Sequence, residues 1–112
     1  MSARGREAEE AALRFLERQG LRLLERNYRC RFGEIDLVMR DGPATVFVEV
    51  RLRSSRDFGG ARESITAAKR SRLLAAARHY LSARARLPEC RFDAVLLNGD
   101  GALDWVRNAF GE

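Results

Sequence analysis

The chain has little of what would tie it to an extracellular or membrane setting. Its two cysteines, Cys30 and Cys90, stand sixty positions apart. That is neither a disulfide framework nor a zinc-ligand spacing, and it suits a reducing cytosol with both thiols reduced and buried or half-buried. No apolar run approaches the roughly 20 residues of a membrane span. The segment Met1-Ser2-Ala3-Arg4-Gly5-Arg6-Glu7 lacks the apolar stretch of a secretory signal. The expectation is a cytoplasmic protein with no membrane partner. The single histidine, His79, is expected at the surface or in edge packing rather than as a ligand. Lysine is nearly missing as well: of twenty-one basic side chains one is lysine, Lys69, and the rest are arginine. A bias toward GC-rich codons accounts for this, but it makes the surviving lysine worth following.

What is present is a globular composition, 46% hydrophobic and 33% charged. At 112 residues the chain is one domain, 1–112, whose folding hides roughly two thirds of the unfolded surface around one core. The net charge of +5 is unevenly spread. From Arg51 to Arg91 there are eleven basic and three acidic residues, a local +8; the remainder has ten basic and thirteen acidic, a local −3. Such a basic block marks either contact with phosphates or anionic lipid, or a solvated helix face. Arg53, Arg70, Arg72 and Arg78 are the phosphate-contact candidates within it.

Periodicity predicts the order α-β-β-β-α-β-β. Residues 5–19 read as a helix with Ala8, Ala11, Ala12, Phe15 and Leu16 on one stripe, stopped by Gly20. Leu21–Arg31 is strand-like. Glu34–Arg40 alternates, with Ile35, Leu37 and Met39 on one face and Glu34, Asp36 and Val38 on the other. Asp41-Gly42-Pro43 is a turn, and Ala44–Leu52 alternates again. Arg53–Glu63 is a polar loop with Gly59-Gly60, read as a connector, with closure over a substrate as the alternative. Thr66 caps a helix from Ala67 to about Arg84, with Leu73, Leu74, Ala77, Tyr80 and Leu81 as its apolar stripe. Arg91–Leu97 and Leu103–Val106 are strands about an Asn98-Gly99-Asp100-Gly101 turn. Trp105 is assigned to the core. Short turns make the first three strands antiparallel. The strand before the long helix and the strand after it pair in parallel through a right-handed crossover. The fold class is α/β, a small mixed sheet flanked by two helices.

The hairpin register focuses attention on two acids. With residues 41–44 in the loop, Arg40 faces Thr45, Asp36 faces Glu49 and Glu34 faces Arg51. A two-residue shift pairs Glu34 with Glu49 and still leaves Asp36 and Glu49 on one face. Opposed residues have Cβ atoms about 5 Å apart, and like charges there are destabilising. A divalent cation would offset that repulsion, because Mg²⁺ takes oxygen ligands from one or two carboxylates, backbone carbonyls and water. On a helical wheel Glu9 borders the apolar stripe while Glu10 points away, so Glu9 is a third carboxylate within reach. Lys69 occupies the matching edge of the second helix. Glu9, Asp36, Glu49 and a cation would fit metal-assisted phosphodiester hydrolysis. Acids on a solvated strand face and a Glu34–Arg51 ion pair are the alternative.

At Gly33-Glu34-Ile35-Asp36-Leu37-Val38 and Val46-Phe47-Val48-Glu49-Val50-Arg51 the chain resembles the YraN-type family of small bacterial proteins. The likeness runs over nearly the whole chain. It takes in Gly5-Arg6-Glu7-Ala8-Glu9, Gly20, Asn27, Phe58-Gly59, Lys69, Phe92-Asp93 and Asn108-Ala109-Phe110. That family is similar to the PD-(D/E)XK, or restriction-endonuclease-like, nucleases and to Holliday-junction resolvases. The resemblance implies a restriction-endonuclease-like fold and a Mg²⁺- or Mn²⁺-dependent endonuclease acting on DNA, on branched or repair intermediates. It implies metal binding by Asp36, Glu49 and Glu9, with Arg51 and Lys69 completing the catalytic set. A homodimer would suit cutting two strands of a junction. Arg51 departs from the motif, which has lysine there. Arginine does not lose its proton and cannot act as general base, but it holds phosphate bidentately. Either Arg51 serves electrostatically with Lys69 assisting, or the domain binds nucleic acid without cutting it. A third alternative is a protein–protein adaptor whose basic helix meets an acidic partner.

Overall fold

In the computed structural model, residues 3–53, 66–84 and 88–110 are described. The elements are α1 (Ala3–Arg18), β1 (Arg22–Cys30), β2 (Gly33–Asp41), β3 (Ala44–Arg53), α2 (Ala67–Leu81), β4 (Glu89–Asn98) and β5 (Leu103–Phe110). They form the expected order and one five-stranded sheet, β1-β2-β3-β4-β5. β3 and β4 are parallel and the other neighbours antiparallel. The polar loop expected at Arg53–Glu63 lies, beyond Arg53, outside the described residues.

α1 ends as its sequence dictates. Gly20 takes φ +96, a backbone that L side chains rarely adopt, and the Leu21 N–H returns to the Leu16 carbonyl at 3.1 Å. Its buried stripe is rotated from the one expected. Ala8, Glu9, Ala12, Leu13 and Leu16 are buried while Ala11 is exposed. The rotation brings Glu9 inside the interface rather than to its border. Thr66 caps α2 as expected: its Oγ1 accepts from the Lys69 N–H at 3.2 Å. α2 stops at Leu81, short of Arg84, because Ser82 turns back on the last turn, its Oγ donating to the His79 carbonyl at 2.6 Å. Ala76 is buried and Leu74 only half-buried, so this stripe too is rotated slightly.

Two apolar clusters sandwich the sheet. Under α1 lie Leu37, Met39, Val46, Val48, Val95 and Leu97; under α2 lie Ile35, Val38, Phe47, Phe92, Ala94 and Leu96. The hairpin register is the expected one, running from Asp41↔Ala44 through Arg40↔Thr45 to Leu37↔Val48. The expected alternation of β2 breaks at Asp36, however, since Ile35 packs with α2 whereas Leu37 and Met39 pack with α1. Beside the break, the neighbouring strand is irregular as well. Asn27, between the pairs Arg26↔Leu37 and Tyr28↔Ile35, has φ +51, a left-handed conformation that asparagine tolerates better than most residues. Asn108 in β5 does the same at φ +52, where the β4–β5 register shifts between Phe92 and Ala94. This bulge lets β5 run on to Phe110 instead of ending at Val106.

Candidate functional site

The break at Asp36 makes the site. Beyond Leu37↔Val48 the Asp36 side chain takes over from the backbone ladder: its Oδ2 accepts the Val50 N–H at 2.8 Å. Glu49, the residue before Val50 on β3, lines the same cleft as Asp36. Glu49 is 3% exposed, and its Oε1 meets Lys69 Nζ at 2.5 Å. The N-cap on Thr66 fixes the first turn of α2 and so aims Lys69 at the sheet. Glu34, Asp36, Glu49, Lys69, Arg72 and Leu73 line a shallow cleft of about 190 Å³. Burial first, and the Glu49 charge second, push the Asp36 carboxyl up to about 7 from 3.8. The Val50 N–H and Lys69 act against that rise without cancelling it.

Glu9 reaches the same neighbourhood from α1. With its amide nitrogen toward the acids, Asn27 donates to Glu9 Oε1 and Glu34 Oε1, each at 3.2 Å. Burial, then the Asp36 charge, holds the Glu9 carboxyl above its ordinary range. Four acids thus converge, but among the described residues no group of three or more His, Cys, Asp or Glu side chains is placed to hold one metal ion. The groups that could hold a cation are the Asp36 and Glu49 carboxylates, hard oxygens of the kind Mg²⁺ accepts, and backbone carbonyls and water would have to complete its shell.

The basic candidates separate. Arg72 lines the cleft. Arg51, half-buried on β3, has no ion pair among the described residues, nor have Arg70 and Arg72. Arg53 is occupied inside the chain, its Nε donating to Asn98 Oδ1 at 2.9 Å and its terminal nitrogen pairing with Asp104 Oδ2 at 2.7 Å. Arg78 lies on the other flank of α2, on a larger groove of about 590 Å³ lined mainly by Leu74, Ala77, Leu81 and Phe92. That groove is roomier but contains no carboxylate; the chemistry-bearing groups are in the small cleft. The alternative Glu34–Arg51 ion pair does not form; Glu34 pairs with Arg29 at 3.5 Å, its direct partner across β1 and β2.

Several residues carry roles that pattern reading missed. Asp93 is fully buried and accepts from Arg91 Nε at 3.0 Å, Trp105 Nε1 at 3.0 Å and the Asn108 N–H at 2.9 Å. It anchors the β5 bulge and takes no part in the cleft. Trp105 is half-buried, edge-on to Phe15, with Arg107 over its ring. His79 is exposed, as expected, and its Nδ1 is hydrogen-bonded to the Tyr28 hydroxyl. Cys30 and Cys90 are not joined in a disulfide; Cys30 is half-buried and Cys90 exposed rather than buried, since it precedes the covered part of β4.

A mixed five-stranded sheet between two helices, with a carboxylate pair and a lysine in a cleft at a strand break, defines an α/β protein with an acidic site on its basic flank. The chain belongs to the uncharacterised protein family UPF0102, whose model matches residues 8–97. It is 59% identical over 111 residues to a UPF0102 protein of Nitrosomonas europaea, covering 97% of this chain and 94% of that one. A UPF0102 protein of Dechloromonas aromatica is 59% identical over 109 residues, covering 97% and 89% respectively. No described helix is long and apolar enough to cross a membrane.

Proposed function

We propose that this protein binds DNA and hydrolyses its phosphodiester bonds with a divalent cation, Mg²⁺ or Mn²⁺, held by Asp36 and Glu49. The observation that carries this is the convergence of those two carboxylates with Lys69 and Arg72 in one cleft. A half-buried acid beside a buried one is unfavourable, and a divalent cation would add to what Lys69 already offsets. The cleft, about 190 Å³, is smaller than the roughly 300–1,000 Å³ that encloses a small ligand, which suits a single phosphate of a polymer rather than a whole small molecule. A bound divalent cation supplies Lewis-acid polarisation of a phosphoryl oxygen. Arg72 and Arg51 offer planar donor forks for the phosphate. Lys69 supplies a compact positive charge beside Glu49, and Glu9, held by Asn27, adds negative potential behind the pair.

Nuclease assays with Mg²⁺ or Mn²⁺ on linear, flapped and four-way DNA test this. Asp36→Ala and Glu49→Ala should each lower cleavage at least about a hundredfold, the scale of losing a principal electrostatic group. Wild type and both variants being equally inert, or equally active, would sink the hydrolase. A second reading, DNA binding without hydrolysis, is favoured by Arg51 standing at the motif lysine, where it cannot accept a proton. Arg51→Lys discriminates: a gain of cleavage shows that the native residue limits an intact site. No cleavage by either form, with DNA binding that weakens steeply in salt, leaves the binding module.

A further inference from the structure

We infer that the β1–β2 hairpin tip is a stacking platform for unpaired DNA bases beside the carboxylate cleft. The tip is a two-residue turn, Arg31-Phe32, between the paired Cys30 and Gly33. Phe32 is 39% exposed, and the other exposed large apolar side chains, Leu24 and Leu52, are aliphatic. A phenylalanine at a turn tip gains little by burial there. Its surroundings suit a base instead. The Arg31 guanidinium lies over the ring at 4.8 Å from its centroid. The His79 ring is 5.8 Å from it and tilted by 58°. Every nucleobase has a π-face, and stacking on an aromatic ring backed by arginine is how sequence-tolerant single-strand binders hold bases.

The placement joins this patch to the cleft. A Cβ at Gly33 would lie 3.3 Å from Arg72 Cβ and from the Arg72 carbonyl oxygen, so the tip sits directly on α2. Arg72 also lines the carboxylate cleft. Along α2, Lys69, Arg72 and His79 run from Glu49 to Phe32. From Lys69 to His79 the helix rises ten residue steps, on the order of 15 Å, a reach of a few nucleotides. A strand laid along this face would set a phosphate at Arg72 and Lys69 and an unpaired base on Phe32. The inference rests on the nucleic-acid function proposed above and narrows its substrate to DNA with a single-stranded stretch next to the scissile bond.

The test is fluorescence anisotropy in EDTA, so that no cleavage intervenes, with labelled oligothymidylate and a blunt duplex as probes. Phe32→Ala should weaken single-strand binding roughly 5- to 100-fold and leave the blunt duplex unchanged. Phe32→Trp should keep single-strand affinity, and its added emission should be quenched by the single strand and not by the duplex. Circular dichroism and thermal melting of both variants report folding. The platform is overturned if Phe32→Ala binds the single strand as tightly as wild type, if it loses both probes in equal proportion, or if wild type binds neither. An unaffected Phe32→Ala beside an inert Asp36→Ala removes the platform and keeps the hydrolase. The opposite pattern keeps the platform and removes the hydrolase.

Discussion

Replacing Asp36 with asparagine should stabilise the metal-free protein above neutral pH and change nothing below about pH 4. The Asp36 carboxyl stands at about 7 in the fold, against 3.8 for the ordinary group, through burial first and Glu49 second. Between those two values the folded protein keeps a proton that the unfolded chain has released, so stability falls as pH rises. The cost is absent below the unfolded value and complete above the folded one. At about 1.4 kcal/mol per pH unit it amounts to at most roughly 4 kcal/mol. Asparagine retains an oxygen for the Val50 N–H and has no charge to bury, so it should recover about 2–4 kcal/mol above pH 7. Urea unfolding of both proteins in EDTA, from about pH 4 to about pH 8.5, measures it as a widening gap between their stabilities. Titrations common to both cancel in the difference. Parallel stability curves across that range, or a variant less stable than wild type at the alkaline end, would refute the account of a destabilised carboxylate pair.

Adding Mg²⁺ near pH 8 should stabilise wild type by about 2.7 kcal/mol at a hundredfold excess over Kd. Thermal melting should show the rise in wild type and lose it in Asp36→Asn and Glu49→Gln. Asp93→Ala removes the acceptor of three donors and leaves the Arg91 charge short of a partner; it should cost about 3–5 kcal/mol in denaturant midpoint analysis. Gly33→Ala brings a methyl within 3.3 Å of the Arg72 backbone oxygen, where the helix cannot easily yield. A loss of about 1–3 kcal/mol is expected, and an unchanged melting temperature would show that the hairpin tip is free to move off α2.

Element order and most of the site's composition follow from the sequence by itself, because both rest on local rules. The Asp41-Gly42-Pro43 turn and the alternating strands set the hairpin register as far as Leu37↔Val48, which leaves Asp36 and Glu49 side by side in one cleft. A one-residue slip would expose a whole aliphatic row. The N-cap at Thr66 and the helical wheel bring Lys69 to the sheet side of α2 in the same way. What tertiary structure alone decided depends on contacts between strands distant in sequence. No local pattern in β2 shows that left-handed Asn27 lies one strand away beside the break at Asp36, within reach of both Glu9 and Glu34. Arg53 reads as a phosphate contact until Asn98 and Asp104 across the sheet claim it. Glu34 reads as a partner for Arg51 until β1 brings Arg29 closer. Nothing local to Phe32 shows that α2 sets His79 and Arg72 against the turn that exposes it. Periodicity tells which face a residue takes, and only the folded chain tells which charges and rings arrive opposite it.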